Sequence, residues 1–249
     1  MAHSPIRILI LGGTAEARLL AACLEDDARY SPLTSLAGVT ARPSKIAGDV
    51  RSGGFGGVEG LRDFISHESI ALIVDATHPF AAQISAHAVE AGAQAGVRVL
   101  RLERPSWESQ SGDDWVEVAD IDEAAQVIPE GARVLLTIGR QEVAPFFARH
   151  NIHVMARMIE PPQLHVPAHA QVLLARPPFT LEQECALMEE QHITVLVTKN
   201  SGGDATFAKI GAARSLGLPV IMIARPEKPS LATASTVDEL LEQIEAELR

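Results

Sequence analysis

The chain has 249 residues, of which 47% are hydrophobic and 21% are charged. This composition is typical of a globular protein with one large domain or two small ones, and it excludes a chain that is disordered throughout. The formal net charge of −11 disfavours a protein whose main task is to bind nucleic acid or an anionic membrane. It permits a local cationic pocket for a small anion.

Signals for targeting and for metal binding are missing from the sequence. Residues 1–7 lack the apolar core of a signal peptide, and no apolar run approaches the roughly 20 residues that span a bilayer, so we expect a cytoplasmic protein. Cys23 and Cys185 fall in stretches with the pattern of amphipathic helices, where we expect both to be packing residues. Because there is no C-x-x-C motif, we expect no structural zinc, redox dithiol or other metal site.

Short apolar runs rich in β-branched residues alternate with alanine-rich helical stretches along the whole chain. In the first half the patterns predict strands at 6–11, 33–37, 70–75 and 97–102, and helices at 16–25, 58–66 and 80–95. In the second half they predict strands at 133–137, 153–158, 172–175, 194–198 and 220–224, and helices at 142–150, 181–191, 205–216 and 237–248. The strands are apolar on both faces, which is typical of a parallel sheet covered by helices. The alternation predicts an α/β fold with doubly wound sheets.

The two halves resemble each other in sequence, and the matching segments come in the same order. Residues 7–16 match 133–142, residues 70–75 match 193–198, and residues 96–105 match 217–226. We therefore predict two Rossmann-like parallel-sheet halves that face each other across a cleft, with ligands at the carboxyl ends of the strands. A polar, turn-rich stretch at 104–113 suggests domains at 1–110 and 111–249, although the final helix could pack on the first half.

A glycine loop directly follows the first predicted strand. It consists of Gly12, Gly13, Thr14, Ala15 and Glu16. Glycines there let the backbone approach a phosphate, and the N-terminus of the next helix supplies N–H groups and a positive dipole end. The motif differs from G-x-G-x-x-G, so its position carries the prediction of a dinucleotide site. The alternative is an ordinary strand-to-helix turn.

The end of the second predicted strand lacks an acidic residue. A site specific for NAD usually has Asp or Glu there to bind the ribose 2′-hydroxyl, whereas this chain has Ser35, Leu36 and Ala37. An uncharged strand end leaves room for a 2′-phosphate, to which Ser35 and Arg42 could bind. The pattern therefore favours NADP over NAD. The alternative is a plain loop with Arg42 in solvent.

Two further loops in the first half contain candidate ligand contacts. Four glycines surround Phe55 at 53–57, so that the backbone at Gly54 and Gly56 could approach a flat ligand and the phenyl ring could pack on it. The alternative is a flexible connector with Phe55 in the core. At the end of the strand at 70–75, Thr77 and His78 could contact cofactor or substrate. The alternative is that the residues at this end only cap the next helix.

In the second half, the matching strand ends carry cations instead of a dinucleotide signature. Lys199 is followed by Asn200, Ser201 and Gly202, which offer hydrogen-bonding groups and an open backbone. Arg140 stands where the first half has Thr14. These cations suggest an anionic substrate. The alternative for each is a solvated surface cation.

In combination these motifs resemble the precorrin-6A reductase family of cobalamin biosynthesis, over nearly the whole chain. The resemblance rests on residues 9–16, 34–38, 53–60, 75–81, 102–107 and 198–203. It implies an NADPH-dependent reduction of one ring double bond in a large anionic tetrapyrrole, precorrin-6A, to give precorrin-6B. It further implies that domain 1–110 binds NADPH and domain 111–249 the substrate, with possible hand-over to neighbouring pathway enzymes. We expect His78 to act in catalysis, and Phe80, Arg104 and Trp107 to join His78 in binding substrate.

Two other classes of protein fit part of the pattern. Another NADP-dependent reductase or epimerase would often carry Tyr-x-x-x-Lys, but the single tyrosine, Tyr30, has Thr34 four residues later. A non-enzymatic NADP-binding sensor would not need Arg140 or the loop after Lys199. Solvent is an acceptable source of the proton that accompanies the hydride.

Overall fold

The protein folds into two compact units. The structure is a computed structural model that describes residues 4–38 and 45–248. One unit comprises residues up to Pro105 together with 227–249, and the other comprises 106–226. Among the described residues, no helix is both long enough and apolar enough to cross a membrane.

Twelve strands and eight α-helices are found in the described part of the chain. In chain order they are β1 (Ile6–Leu11), α1 (Ala15–Glu25), β2 (Tyr30–Leu36), β3 (Asp49–Ser52), α2 (Val58–His67), β4 (Leu72–Asp75), α3 (Ala82–Ala95), β5 (Arg98–Leu102), β6 (Trp115–Val118), α4 (Ile121–Val127), β7 (Arg133–Thr137), α5 (Ala144–Phe147), β8 (His153–Met158), β9 (Ala170–Leu174), α6 (Leu181–Glu190), β10 (Val195–Lys199), α7 (Ala208–Ser215), β11 (Val220–Ile223), β12 (Thr233–Ala234) and α8 (Val237–Glu247).

Each unit contains one parallel sheet of six strands, and the two sheets have the same strand order. The first sheet runs β12-β5-β4-β1-β2-β3 and the second runs β6-β11-β10-β7-β8-β9. Replacing β1 to β5 by β7 to β11, and β12 by β6, converts one order into the other. This confirms the predicted α/β fold of two Rossmann-like sheets.

Besides its run of five related strands, β1 to β5 or β7 to β11, each unit contains one further strand and one further helix. β6 and α4 follow β5 in sequence but belong to the second sheet, whereas β12 and α8 follow β11 and belong to the first. The two exchanged segments start their helices alike: Asp120 and Thr236 are the N-caps, accepting backbone N–H bonds of 2.9 and 3.2 Å respectively. Each sheet is therefore completed by the strand that follows the five related strands of the other sheet.

This exchange changes the domain limits expected from the sequence. The division falls after Pro105 rather than after residue 110, and residues 227–249 return to the first unit. Residues 227–249 belong to the first unit because β12 pairs with β5 and because Leu240 and Ile244 are buried in the first core.

The core of the first unit consists of two apolar layers, one on each face of the sheet. Along β1, Ile8 and Ile10 pack with residues of α1 and α8, whereas Leu9 and Leu11 pack with residues of α2 and α3. Because successive side chains of a strand point to opposite faces, an uninterrupted apolar strand buries both. Since both faces of the sheet are covered by helices, the loops at the carboxyl ends of the strands are where polar residues can meet a ligand.

Several elements differ from the sequence-based prediction. Strands β3, β6 and β12 and helix α4 were not predicted; these segments are short, with four, four, two and seven residues respectively. The predicted helix at 142–150 is only Ala144–Phe147, and that at 205–216 is a 3₁₀ turn at Asp204–Thr206 followed by α7.

Candidate functional site

A glycine loop connects β1 to α1 in the first unit. At Gly13 the backbone φ is +123°, and a Cβ placed there would have no heavy atom within 4 Å. The Thr14 hydroxyl caps α1 by accepting a hydrogen bond from Ala17 N at 3.1 Å, and it donates to the carbonyl of Ala76 at 2.9 Å. The loop is therefore tied to the end of β4. It leaves open space at Gly13 beside the first turn of a helix, an arrangement suited to a phosphate.

The ends of β2 and β3 are joined through Arg51. Gly12 N donates to the carbonyl of Ser35 at 2.9 Å, so the glycine loop also adjoins β2. Arg51 donates from Nη1 to Ser35 Oγ at 2.7 Å and to the carbonyl of Gly53 at 3.1 Å, and from Nη2 to the carbonyl of Gly54 at 3.1 Å. Arg51 is not among the residues predicted from the sequence, because the pattern did not predict β3. The strand order of a doubly wound sheet, which places a third strand beside the second, is the feature that could have pointed to Arg51.

The glycine-rich segment before α2 is folded back on that helix. A Cβ at Gly60 would lie 1.8 Å from the carbonyl oxygen of Phe55, so only glycine allows this approach. The Phe55 ring lies under the guanidinium of Arg51, 4.0 Å from the ring centroid, and meets the ring of Phe64 edge-on at 5.2 Å. Phe55 thus has aromatic and cationic neighbours within the protein, and its contact with a cofactor stays a prediction.

A buried ion pair lies at the ends of β4 and β5. Arg101 Nε donates to Asp75 Oδ2 at 3.2 Å, and Thr77 Oγ1 donates to Asp75 Oδ1 at 2.7 Å. Burial by itself would raise the pKa of Asp75, but the hydrogen bond from Thr77 and the charges of Lys228 and Arg101 hold that pKa below its ordinary value. Asp75 is therefore an ionised anchor that orients Thr77.

His78 follows this strand end and is held by its neighbours. Its Nδ1 accepts a hydrogen bond from Phe80 N at 3.3 Å, and the two rings lie 5.7 Å apart. An acceptor at Nδ1 implies that the neutral ring carries its proton on Nε2. The buried ammonium of Lys228 donates to the His78 carbonyl at 3.5 Å and pairs with Glu103 at 2.6 Å.

Each unit pairs the glutamate of its first loop with a cation from another strand end. In the first unit Arg104 donates to Glu16 at 2.9 Å, and in the second Lys199 donates to Glu142. Glu16 and Glu142 occupy matching positions of the sequence repeat. Two residues expected to bind different ligands, Glu16 and Arg104, are therefore paired with each other.

Arg140 lines an open depression in the second unit. Its guanidinium forms an ion pair with Glu160 at 3.0 Å, and its side chain is 23% exposed. The depression has a volume of about 360 Å³ and is lined by Arg140, Gln141, Gln163 and Leu164. Arg140 thus combines a carboxylate partner with access to open space.

The loop after β10 is held from two sides. Asn200 exchanges two hydrogen bonds with the backbone of Trp107, at 2.8 and 3.0 Å, and the Trp107 indole donates to the carbonyl of Gly203 at 3.0 Å. Arg225 donates to the carbonyls of Asn200 and Ser201 at 2.9 and 3.2 Å. Trp107 is only 8% exposed and belongs to the second core, so these contacts shape the loop. The substrate roles of Trp107 and Asn200 stay predictions.

Of the predicted site residues, Arg42 lies outside the described residues. The others lie at the carboxyl ends of parallel strands or in the segments that follow them. Those in the first unit are Gly12, Gly13, Thr14, Ala15, Glu16, Ser35, Leu36, Ala37, Gly54, Phe55, Gly56, Thr77, His78, Phe80 and Arg104. Those in the second unit are Trp107, Arg140, Lys199, Asn200, Ser201 and Gly202.

Two sheets of matching order, the first with an open glycine loop before α1, define an α/β protein built on a pair of Rossmann-like units. The chain belongs to the family described as precorrin-6x reductase CbiJ/CobK, whose model matches residues 7–245. This family membership confirms the resemblance drawn from the sequence motifs.

Curated relatives and a solved structure match almost the whole chain. The chain is 48% identical over 235 residues to precorrin-6A reductase of Rhodococcus erythropolis, covering 94% of each chain. It is 45% identical over 241 residues to precorrin-6A reductase of Sinorhizobium sp., covering 96% of this chain and 92% of the relative. The solved structure of CobK precorrin-6A reductase superimposes with a TM-score of 0.92 at 42% identity, covering 97% of both chains.

Proposed function

We propose that this chain reduces one ring double bond of precorrin-6A at the expense of NADPH, forming precorrin-6B. The observation that carries the proposal is the similarity to precorrin-6A reductases along 94% of both chains, which includes both Rossmann-like units. The glycine loop, the uncharged end of β2 and the cations of the second unit support it independently of that similarity.

The first unit offers groups that fit NADPH. The backbone of Gly12, Gly13, Thr14 and Ala15 would hold the pyrophosphate, because a Cβ at Gly13 would enter open space and the first turn of α1 has N–H groups without intrahelical partners. The adenosine end would lie beyond β2, near Ser35 and the two residues that follow it. Thr77, oriented by Asp75, would contact the nicotinamide end. Bound NADPH supplies the hydride that reduces the ring double bond.

The cations of the second unit fit the carboxylates of a tetrapyrrole. Lys199 and Arg140 each hold a glutamate in this structure, Glu142 and Glu160 respectively. We propose that substrate carboxylates replace these glutamates. Each cation would then still be paired with a carboxylate when the substrate is bound. In a chain of net charge −11, such a pocket is needed to attract an anionic substrate.

His78 is the side chain that we propose acts at the reacting ring. With Nδ1 accepting from Phe80 N, the neutral imidazole carries its N–H on Nε2, from which it can donate a hydrogen bond to the substrate. The hydrogen bond that Phe80 N donates to Nδ1 orients the ring, and the contact from Lys228 to the His78 carbonyl holds the backbone at this position. Solvent supplies the proton that accompanies the hydride, because a neutral imidazole that lost its Nε2 proton would become an imidazolate.

The proposal is tested by incubating the purified full-length chain with precorrin-6A and NADPH without oxygen. We expect loss of the near-ultraviolet absorbance of NADPH together with a product that has gained two hydrogen atoms by mass spectrometry. Binding of NADPH without turnover would instead identify a sensor. Turnover of a carbonyl compound but not of precorrin-6A would identify another class of reductase.

A further inference from the structure

The guanidinium of Arg51 lies at the carboxyl edge of the first sheet. Arg51 is aligned with Ser35 across the parallel strands β2 and β3, and it binds the Ser35 hydroxyl at 2.7 Å. Its guanidinium lies 4.0 Å from the ring centroid of Phe55 and 4.9 Å from that of Phe64. Hydrogen bonds to the Gly53 and Gly54 carbonyls complete its contacts.

Every partner of Arg51 within residues 4–38 and 45–248 is electrically neutral. Its contacts are a hydroxyl, two carbonyls and two phenyl rings. Arginines of other strands in the same sheet differ, since Arg7 of β1 pairs with Asp49 and Glu68, and Arg101 of β5 pairs with Asp75. Burial lowers the pKa of Arg51, but a guanidinium stays charged at neutral pH. A partly desolvated cation without a counter-charge is stabilised by any anion that reaches it.

The hydrogen-bonding capacity of Arg51 is only partly used. A guanidinium has five N–H donors, and three of those of Arg51 donate to Ser35, Gly53 and Gly54. The other two, one on Nε and one on Nη2, have no partner in the described part of the chain. Adjacent N–H groups of this kind bind phosphate oxygens in the bidentate manner typical of arginine.

We propose that Arg51 binds the 2′-phosphate of NADPH and thereby selects NADPH over NADH. This inference rests on the proposed function, because it assumes that the first unit binds the cofactor. In a doubly wound sheet the adenosine ribose lies beyond the end of the second strand, where an arginine accommodates a 2′-phosphate. Here the end of β2 at Ser35 and Leu36 carries no acidic residue, and the Ser35 hydroxyl positions Arg51. Phe55 and Phe64 support the plane of the guanidinium.

The test is calorimetric titration of the full chain with two cofactor fragments, adenosine 2′,5′-bisphosphate and adenosine 5′-monophosphate. The variants are Arg51→Ala, Arg51→Lys and the control Arg62→Ala, which removes an exposed arginine of α2 paired with Asp63. We expect the wild type to prefer the bisphosphate. Arg51→Ala should lower affinity for the bisphosphate about ten- to a hundredfold and leave that for the monophosphate nearly unchanged. Arg51→Lys should be intermediate, because it keeps the charge but loses the bidentate geometry.

The outcomes separate this inference from the proposed function. If the wild type prefers the bisphosphate and both Arg51 variants retain that preference in full, the assignment of Arg51 is wrong while NADPH remains the cofactor. If Arg51→Ala weakens both fragments equally, Arg51 only supports the loop and the inference is overturned. If the wild type itself shows no preference, the proposed cofactor is wrong and the inference falls with it. Thermal unfolding of each variant, compared with Arg62→Ala, reports whether the fold is retained.

Discussion

The substitution Gly13→Ala separates the role of the glycine loop in binding from its role in folding. The Gly13 φ of +123° is unfavourable for alanine, so the substitution should cost about 1–3 kcal/mol of folding free energy. It should cost little beyond that, because the new Cβ has no heavy atom within 4 Å to clash with.

The effect on NADPH should be larger and of a different kind. The methyl group would stand where we place the pyrophosphate, so at least one backbone hydrogen bond to a charged phosphate oxygen would be lost. Such a bond contributes about 1.5–3 kcal/mol, which corresponds to a ten- to hundredfold weaker affinity.

Gly96→Ala provides a matched control. Gly96 is the C-cap of α3, has a φ of +69°, and likewise has no heavy atom within 4 Å of an added Cβ. It precedes β5, at the opposite edge of the sheet from the glycine loop. Its replacement should cost about 1–2 kcal/mol in stability and leave NADPH binding unchanged.

The assay combines urea unfolding followed by circular dichroism with calorimetric titration of NADPH. We expect both variants to lose similar stability and only Gly13→Ala to lose affinity. A folded Gly13→Ala variant that binds NADPH as the wild type does would refute the phosphate-loop assignment.

Three further predictions concern substrate binding, stability and the exchanged segment. Lys199→Ala should raise KM for the tetrapyrrole about ten- to a hundredfold and leave KM for NADPH nearly unchanged; the reverse pattern in steady-state kinetics would place this lysine on the cofactor. Asp75→Ala should lower the unfolding free energy by about 3–5 kcal/mol, because Arg101 stays buried without its counter-charge. Folding lowers the pKa of Asp75, so the loss of unfolding free energy should be largest above the unfolded pKa of about 3.9. It should disappear as the pH falls through the folded pKa. Urea unfolding of both proteins at several pH values measures this. Deleting residues 227–249 should make the first unit sensitive to proteolysis while 106–226 stays resistant, because β12 and α8 complete only the first sheet; equal resistance of both units would contradict this.

The sequence by itself determined the class of fold and the position of the glycine loop between β1 and α1. The apolar run at β1, followed by two glycines and a helix, predicts a strand-loop-helix unit because each of these properties acts within a few residues. The predicted limits of β1, β7 and β8 coincide with those of the structure. The internal repeat likewise indicated two sheets, since β1 and β7 carry the same local pattern.

Only the tertiary structure decided how the short strands pair and which charges meet. β12 has two residues, and its place beside β5 depends on the burial of α8, not on any local pattern. Arg51 is a candidate ligand of the 2′-phosphate only because β3 lies next to β2 in the sheet. Arg104 forms its ion pair with Glu16, which is 88 positions away in sequence. Pairing between such distant residues is a property of the assembled sheet, because backbone hydrogen bonds and ion pairs depend on spatial distance and not on separation along the chain.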